Sequence, residues 1–279
     1  MKIAILYVCT GKYICFWEGF YKSFEQNFIK EAEKHYFVFT DADDIYDEDR
    51  NEKIHVIHQE NLGWPGNTLF RFEMFHKIED RLQGFEYTFF MNSNVLCVDK
   101  ITAEEFLPEE NMLLVVQHPG FYSKKPYEFT YDRNPKSRAY VPYTKGKYYV
   151  CGGVNGGGTK RFIKAINELR DRTSDDWKKR IIALWHDESQ LNRYIIGYTD
   201  YRILTPSYCY PEGWNIPYKS KLIVRDKSKY FDVDMIKSVN DPTGEVSKFE
   251  ALAGKIDYKF AVILYKIRTL FCKLRKRFE

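Results

Sequence analysis

The sequence predicts one α/β domain built on a parallel sheet, followed by a basic helical tail, and three observations carry that expectation. Short apolar runs alternate with stretches whose apolar residues recur at helical spacing. Several runs stop abruptly at polar residues, as strands do where a ligand meets the carboxyl ends of a parallel sheet. Composition stays even, without internal repeat or low-complexity linker, until Asp241-Pro242-Thr243-Gly244. The expected bounds are therefore a domain over 1–240 and a basic amphipathic tail over 241–279.

Residues 2–9 (KIAILYVC) open the chain as a buried strand. From Tyr13 onward, Phe16, Trp17, Phe20, Tyr21, Phe24 and Phe28 make one face of a helix. YFVFTD (36–41) and IHVIHQ (54–59) read as the next two strands. Gly63-Trp64-Pro65-Gly66 is a turn leading into a helix over 69–82. YTFFM (87–91) halts at Asn92-Ser93-Asn94 and resumes over 95–98, and MLLVVQ (112–117) is a further strand. The polar, Tyr- and Pro-rich stretch 118–147 has the length of a functional loop. Five glycines within 152–158 read as a loop letting backbone approach a ligand. That run lacks both the Lys-Ser/Thr ending of a P-loop and the GxGxxG spacing of a dinucleotide fold. Helices are expected over 159–172, over 175–184 and from Asp187, the last with Leu191, Tyr194, Ile195 and Tyr198 on one face.

Composition narrows the function classes. Hydrophobic content of 44% with 29% charged residues describes a chain able to bury a core. No run of about 18 uncharged apolar residues occurs, so no bilayer-spanning helix is expected. The amino terminus enters an apolar strand at once, without a basic lead or cleavage pattern, and no signal peptide is expected. The six cysteines are scattered without metal-ligand spacing and read as reduced thiols of a cytoplasmic protein. Net charge is +4, yet residues 255–279 alone carry eight basic and two acidic side chains. The body is thus close to neutral, which argues against a nucleic-acid partner. An aromatic content of 17% supplies stacking faces for sugars as well as core filling.

Five places hold chemistry. Trp185-His186-Asp187-Glu188-Ser189 is the densest, at a helix start where the dipole favours anions. It reads either as a helix cap or as an acidic site beside an indole that seats a sugar. Asn92 and Asn94 stand at a strand end where many nucleotide-sugar transferases place an Asp-x-Asp that holds Mg²⁺ or Mn²⁺. Neutral amides are poor ligands for such ions but hydrogen-bond ribose or phosphate; a plain turn is the alternative. Arg71, on the first turn of a helix, is placed to meet phosphate. His118, just past a strand, is placed to donate to a sugar hydroxyl. Cys151-Gly152-Gly153 opens the glycine run.

Nine stretches, in order, resemble glycosyltransferase family six, the histo-blood-group A/B and α-1,3-galactosyltransferase family, and above all its short bacterial members. They are ILYVCTGKY, HYFVFTD, NLGWPGNTLFRFEMF, MNSN, QHPGFY, EFTYDRNPKSRAYVP, KYYVCGGVNGG, LWHDES and PSYCYPEGW, within roughly residues 1–229. The resemblance implies a GT-A type nucleotide-diphospho-sugar transferase fold in a single domain. It implies that Val8, Cys9, Thr10 and Tyr13 line the uridine pocket, and that Arg71, Asn92, Asn94 and Asp187 contact the donor. His118, Thr130, Trp185 and Glu188 would meet the acceptor galactose, Glu188 lying beside the anomeric carbon as the catalytic residue. Lys227 in VRDKSK would close on the diphosphate. Cys151, Gly152 and Gly153 would face the donor C2 substituent, and two glycines there match the pattern that accepts GalNAc.

The Asp-x-Asp of vertebrate members is Asn-x-Asn here, as in bacterial relatives that work without metal. The resemblance thus implies a reaction without metal or other cofactor, with Arg71, Lys227 and Lys229 as candidates to neutralise the diphosphate. An acceptor-binding aspartate of vertebrate members falls near Pro211-Glu212, leaving the acceptor contacts in that loop open. The implied reaction is retaining transfer of GalNAc from UDP-GalNAc in α-1,3 linkage to a galactose terminus, of the Fucα1-2Gal type. A UDP-Gal-dependent enzyme, a donor hydrolase and a non-catalytic glycan-binding module remain as alternatives. In the tail, Phe260, Ile263, Leu264, Ile267, Leu270, Phe271 and Leu274 recur at helical spacing among Lys and Arg. That pattern suits a helix lying on an anionic inner membrane surface, or one packed on the domain.

Overall fold

The structure, a computed structural model, describes residues 1–233 and 248–278. In chain order it builds β1 (Lys2–Val8), α1 (Trp17–Asn27), β2 (Glu33–Thr40), β3 (Ile54–His58), α2 (Gly63–Leu69), α3 (Arg71–His76), α4 (Glu79–Leu82), β4 (Tyr87–Asn92) and β5 (Val95–Cys97). Then follow α5 (Ala103–Phe106), β6 (Leu113–Gln117), β7 (Val150–Gly158), α6 (Thr159–Lys178), α7 (His186–Ile195), β8 (Tyr201–Leu204), β9 (Tyr210–Pro211), β10 (Leu222–Val224) and α8 (Lys248–Phe278). Seven strands form one sheet in the order β3-β2-β1-β4-β7-β6-β8, and β5-β10-β9 form a small second sheet.

The large sheet is mixed rather than parallel, because β7 runs antiparallel to both β4 and β6. The glycine run expected as a ligand loop is this strand. Its last three glycines serve the sheet itself: a Cβ on Gly156 would lie 2.3 Å from the Thr88 carbonyl oxygen, and one on Gly157 2.3 Å from that of Met112. Gly157 also sits at φ +140°, a conformation that side chains oppose. Backbone crowding, with no side chain to alternate, hides this strand from any period-two reading.

Helices cover both faces of the sheet, which is why its strands are apolar without alternation. One face packs Ile3, Ile5 and Phe89 against Trp17, Phe20 and Phe24 of α1. The other packs Ala4, Leu6 and Phe90 against Phe72 and Phe75 of α3, Phe162, Ile166 and Leu169 of α6, and Leu191 of α7. The helix expected over 69–82 is broken into α3 and α4, with α2 beginning inside the expected turn. The two helices expected over 159–172 and 175–184 are replaced by the single α6, which ends at Lys178. It runs through Thr173, whose buried hydroxyl is satisfied within the helix by donating to the Leu169 carbonyl at 2.9 Å. Strands β8, β9 and β10 are additions to the sequence reading. The boundary expected at 240/241 lies outside the described residues.

The carboxyl ends of β1, β4 and β6 and the start of β7 share one edge of the large sheet. Every expected site segment borders that edge. Beyond it, α8 lies on the 118–147 segment: the Asp257 carboxylate accepts the Tyr143 N–H at 2.6 Å, and Tyr258 and Tyr265 pack on Tyr127.

Candidate active site

At the end of β1, Cys9 is fully buried, its N–H donating to the Phe39 carbonyl and its own carbonyl accepting the Thr40 hydroxyl. Burial pushes its thiol up to about 12, and the side chain lies wholly inside the core. Thr10 is buried beside it, while Val8 and Tyr13 keep partial exposure. Lys227 Nζ sits 4.8 Å above the Tyr13 ring, a cation on an aromatic face. Its segment is fastened there by Phe231 on Tyr13 at 4.9 Å and Tyr230 on Phe16 at 4.6 Å.

Arg225 completes that fastening, its guanidinium donating to the carbonyls of Phe16 and Asn94. Asn94 is buried and already engaged, its amide donating to the Arg225 carbonyl at 2.6 Å and its Oδ1 accepting from Asn92 at 3.0 Å. The structure therefore gives Asn94 the work of joining β4 to the 225 segment and leaves Asn92 at the edge. Among the described residues, no group of three His, Cys, Asp or Glu is arranged to hold a metal ion.

The Trp185–Ser189 cluster begins α7. His186 takes a left-handed φ of +51°, unusual for a residue with a side chain and of the kind stored at functional sites. Its ring meets Thr68 Oγ1 at 3.2 Å and the Trp64 ring edge-on at 4.7 Å. Ser189 Oγ accepts the Trp185 N–H at 2.9 Å, tying back the residue before the helix, and the N-cap side chain itself makes no capping hydrogen bond. Asp187 forms a buried ion pair with Arg71 at 2.5 Å, the Arg71 guanidinium lying 4.2 Å over the Phe90 ring. Burial raises the Asp187 carboxyl and the Arg71 charge opposes that rise. Arg71 Nε is buried without a hydrogen-bond partner among the described residues, a donor left over for a ligand oxygen.

Glu188 is held from two sides. The Tyr149 hydroxyl donates to Oε1 at 2.9 Å, and the Gly152 N–H donates to Oε2 at 2.8 Å. Burial lifts its carboxyl to about 7; the two donors counter that lift and the neighbouring Asp187 charge adds to it. The approach is close: a Cβ on Gly152 would lie 3.1 Å from Glu188 Cβ, and one on Gly153 3.4 Å from Asn92 Cβ. Gly152 is thus small because α7 needs the space. Cys151, between them and Tyr149, is buried.

On the β6 side, His118 Nδ1 accepts the Gly120 N–H at 3.0 Å, which makes Nε2 the protonated nitrogen and a donor. Burial lowers the His118 imidazole to about 4, so it is neutral at pH 7. His118 packs on Tyr149 at 5.6 Å, and the Thr130 carbonyl lies 3.5 Å from the Tyr149 hydroxyl. Trp185, just before α7, is 48% exposed, an open indole face.

One chain of contacts therefore runs from Arg71 through Asp187, Glu188, Gly152 and Gly153 to Asn92 and Asn94. It continues through Arg225 to the segment bearing Lys227 and Tyr13, and through Tyr149 to His118 and Thr130. Three members escaped the sequence reading. Arg225 and Tyr149 act as ties, and Asn192 bridges Val150 of β7 to the Glu188 carbonyl with three hydrogen bonds of 2.8–2.9 Å. Asn192, one turn after Glu188, was the available signal. Chemically, the arrangement sets cations and neutral donors around a carboxylate that is shared between ionised and protonated forms near pH 7.

The family model for glycosyltransferase family 6 matches residues 1–236. The O-antigen biosynthesis glycosyltransferase WbnI of Escherichia coli is 39% identical over 229 residues, 82% of this chain and 96% of that protein. The rat histo-blood group ABO system transferase 1 is 30% identical over 221 residues, covering 76% of this chain and 62% of its own. The chicken globoside alpha-1,3-N-acetylgalactosaminyltransferase 1 is 25% identical, also over 62% of its length. The mixed α/β fold is that of a GT-A-like transferase, and the family uses a nucleotide-sugar donor and a glycan acceptor. With the match spanning the whole sheet and every residue of the site, the chain belongs to glycosyltransferase family 6.

Proposed function

We propose that this glycosyltransferase moves GalNAc from UDP-GalNAc in α-1,3 linkage to a galactose terminus of the Fucα1-2Gal type, with retention and without a metal ion. The observation that carries the reading is Glu188, a carboxylate held by two donors beside the buried Arg71–Asp187 pair at the sheet edge. Breaking the anomeric bond to a diphosphate develops positive charge on the sugar and negative charge on the departing UDP. Glu188 faces the first, by electrostatics or by attack on the face opposite UDP. Arg71 and Lys227 meet the second, Arg71 with its spare Nε–H and Lys227 from its seat on Tyr13. Asp187 binds a donor-sugar hydroxyl, and Trp185, His118 and Thr130 receive the acceptor galactose. The amides of Asn92 and Asn94 bond to one another and to the Arg225 backbone, and the protein's own cations take the place of a divalent ion.

UDP-Gal is kept as a second donor because Gly152 is small for the sake of Glu188, leaving only Gly153 to speak for a C2 substituent. The test pits UDP-GalNAc against UDP-Gal on 2′-fucosyllactose and lactose, with EDTA present. Glu188→Gln should keep UDP binding and lose at least about a hundredfold in transfer. A strict requirement for added Mn²⁺, or near-normal turnover of Glu188→Gln, would overturn the mechanism.

The same proposal places the enzyme in the cytoplasm, peripheral to the inner membrane face. No helix among the described residues is long and apolar enough to cross a membrane. In α8, the side bearing Asp257, Tyr258, Ala261 and Tyr265 packs on the domain. The opposite side leaves Leu252, Ile256, Phe260, Ile263, Ile267 and Leu270 exposed. At 3.6 residues per turn, Lys255, Lys259, Lys266 and Lys273 form a row along the edge of that stripe, which favours an anionic lipid surface.

A further inference from the structure

We propose that Tyr149 is a positioning residue which acts on transfer through Glu188, its hydroxyl and the Gly152 N–H together fixing the carboxylate that faces the reacting carbon. The inference rests on the functional reading of Glu188 given above. Each Glu188 oxygen has one donor, Tyr149 on Oε1 at 2.9 Å and Gly152 on Oε2 at 2.8 Å, so the plane of the carboxylate is set. Neither donor can drift. The Tyr149 ring is buried against Phe121 at 4.5 Å, Tyr131 at 5.4 Å and His118 at 5.6 Å. Val150 next to it is tied to Asn192 by both its N–H and its carbonyl, and the same Asn192 amide bonds the Glu188 carbonyl. Strand and helix are thereby locked one hydrogen-bonded step from the carboxylate. The hydroxyl has one proton and two nearby acceptors; Glu188 at 2.9 Å takes it, and the Thr130 carbonyl at 3.5 Å does not.

The electrostatics agree with the geometry. The groups facing Glu188 are Asp187 on its own helix, Arg71 from α3, and Tyr149 with the buried Cys151 from the β7 side. Asp187 and burial favour the protonated acid; Arg71, Tyr149 and the Gly152 N–H favour the carboxylate. Removing the Tyr149 hydroxyl takes away one of the donors that keep Glu188 ionised, so the acid limb of kcat/KM moves to higher pH.

The test is a double-mutant cycle. Tyr149→Phe keeps the ring and removes the donor, and should lower kcat about 10- to 100-fold, the range of a hydrogen bond to a charged group. KM for donor and acceptor should stay within about twofold, because the residue touches neither. In a Glu188→Gln background the same change should cost less than about threefold, since the partner it serves is gone. An equal loss in both backgrounds, or an unmoved acid limb, would make Tyr149 merely structural and overturn the proposal. Glu188→Gln with near-normal turnover would instead overturn the functional reading beneath it. Should Tyr149→Phe not fold, 3-fluorotyrosine at position 149 keeps the ring with a more acidic hydroxyl. The acid limb should then move to lower pH, and a limb that stays in place refutes the role.

Discussion

Glu188→Gln should change how stability depends on pH, in a direction opposite to an ordinary surface carboxylate. Burial raises the folded Glu188 carboxyl from 4.5 to about 7, so the folded chain holds this proton more tightly than the unfolded chain. Its contribution favours folding below about pH 4.5 and is lost as pH rises through about 7. At about 1.4 kcal/mol for each decade of proton affinity, the full loss is about 3 kcal/mol. Glu188 keeps partial exposure at the cleft, and screening by that water brings the expected figure to about 2–3 kcal/mol. Gln cannot titrate. Urea unfolding of both proteins at several values between about pH 4.5 and 8.5 therefore reads this contribution, since groups not coupled to Glu188 cancel in the difference. The parent should lose stability relative to Glu188→Gln across that range, with most of the change between about pH 5 and 7.5. A difference that stays level to within about 0.5 kcal/mol, or runs the other way, would refute a buried and raised carboxylate at this position.

Further outcomes follow from the same geometry. Arg71→Met leaves Asp187 buried without its cation and should destabilise the fold by about 3–5 kcal/mol in urea titrations; adding Asp187→Asn should restore most of that loss. The acid limb of kcat/KM, which reports the free enzyme, should fall near pH 7, where Glu188 takes up its proton. A limb near pH 4.5 would mean that Glu188 is not the ionisation observed. Ile256→Asp, Ile263→Asp and Ile267→Asp together, in the full chain, should abolish cosedimentation with phosphatidylglycerol vesicles and leave transfer to soluble 2′-fucosyllactose unchanged. Undiminished sedimentation would remove the apolar stripe of α8 from membrane attachment.

Much of the fold was legible in the residues. The apolar runs of β1, β2, β4 and β6 and the aromatic face of α1 were visible because burial on both sheet faces writes them directly into the sequence. What stayed hidden had physical causes. Strand β7 carries five glycines in nine residues, so it has no side-chain period to read. The unbroken α6 runs through Thr173-Ser174, two weak helix formers, because its buried face packs in the core, a tertiary effect that local propensity does not announce. At the site, the acidic cluster and Arg71 were legible as chemistry, yet capping and ion pairing of Asp187 differ only in the partner, which the fold brings from Arg71, 116 positions away. Tyr149 was illegible for a plainer reason: its partner lies 39 positions away, and an aromatic beside glycines looks like core.

Strand β7 also decides how the molecule comes apart. Strands β6 and β8 join the rest of the large sheet through it; within the sheet that join is made of main-chain hydrogen bonds, while β4 and β6 side chains meet above and below it in the two cores. Glycines add almost no apolar area to resist opening there. Glu188 meets this strand through Gly152, so a local loosening of β7 disturbs the carboxylate without needing the two cores to dissolve. Inactivation by mild denaturant should therefore run ahead of global unfolding, with amide exchange along β7 rising in step with the lost activity.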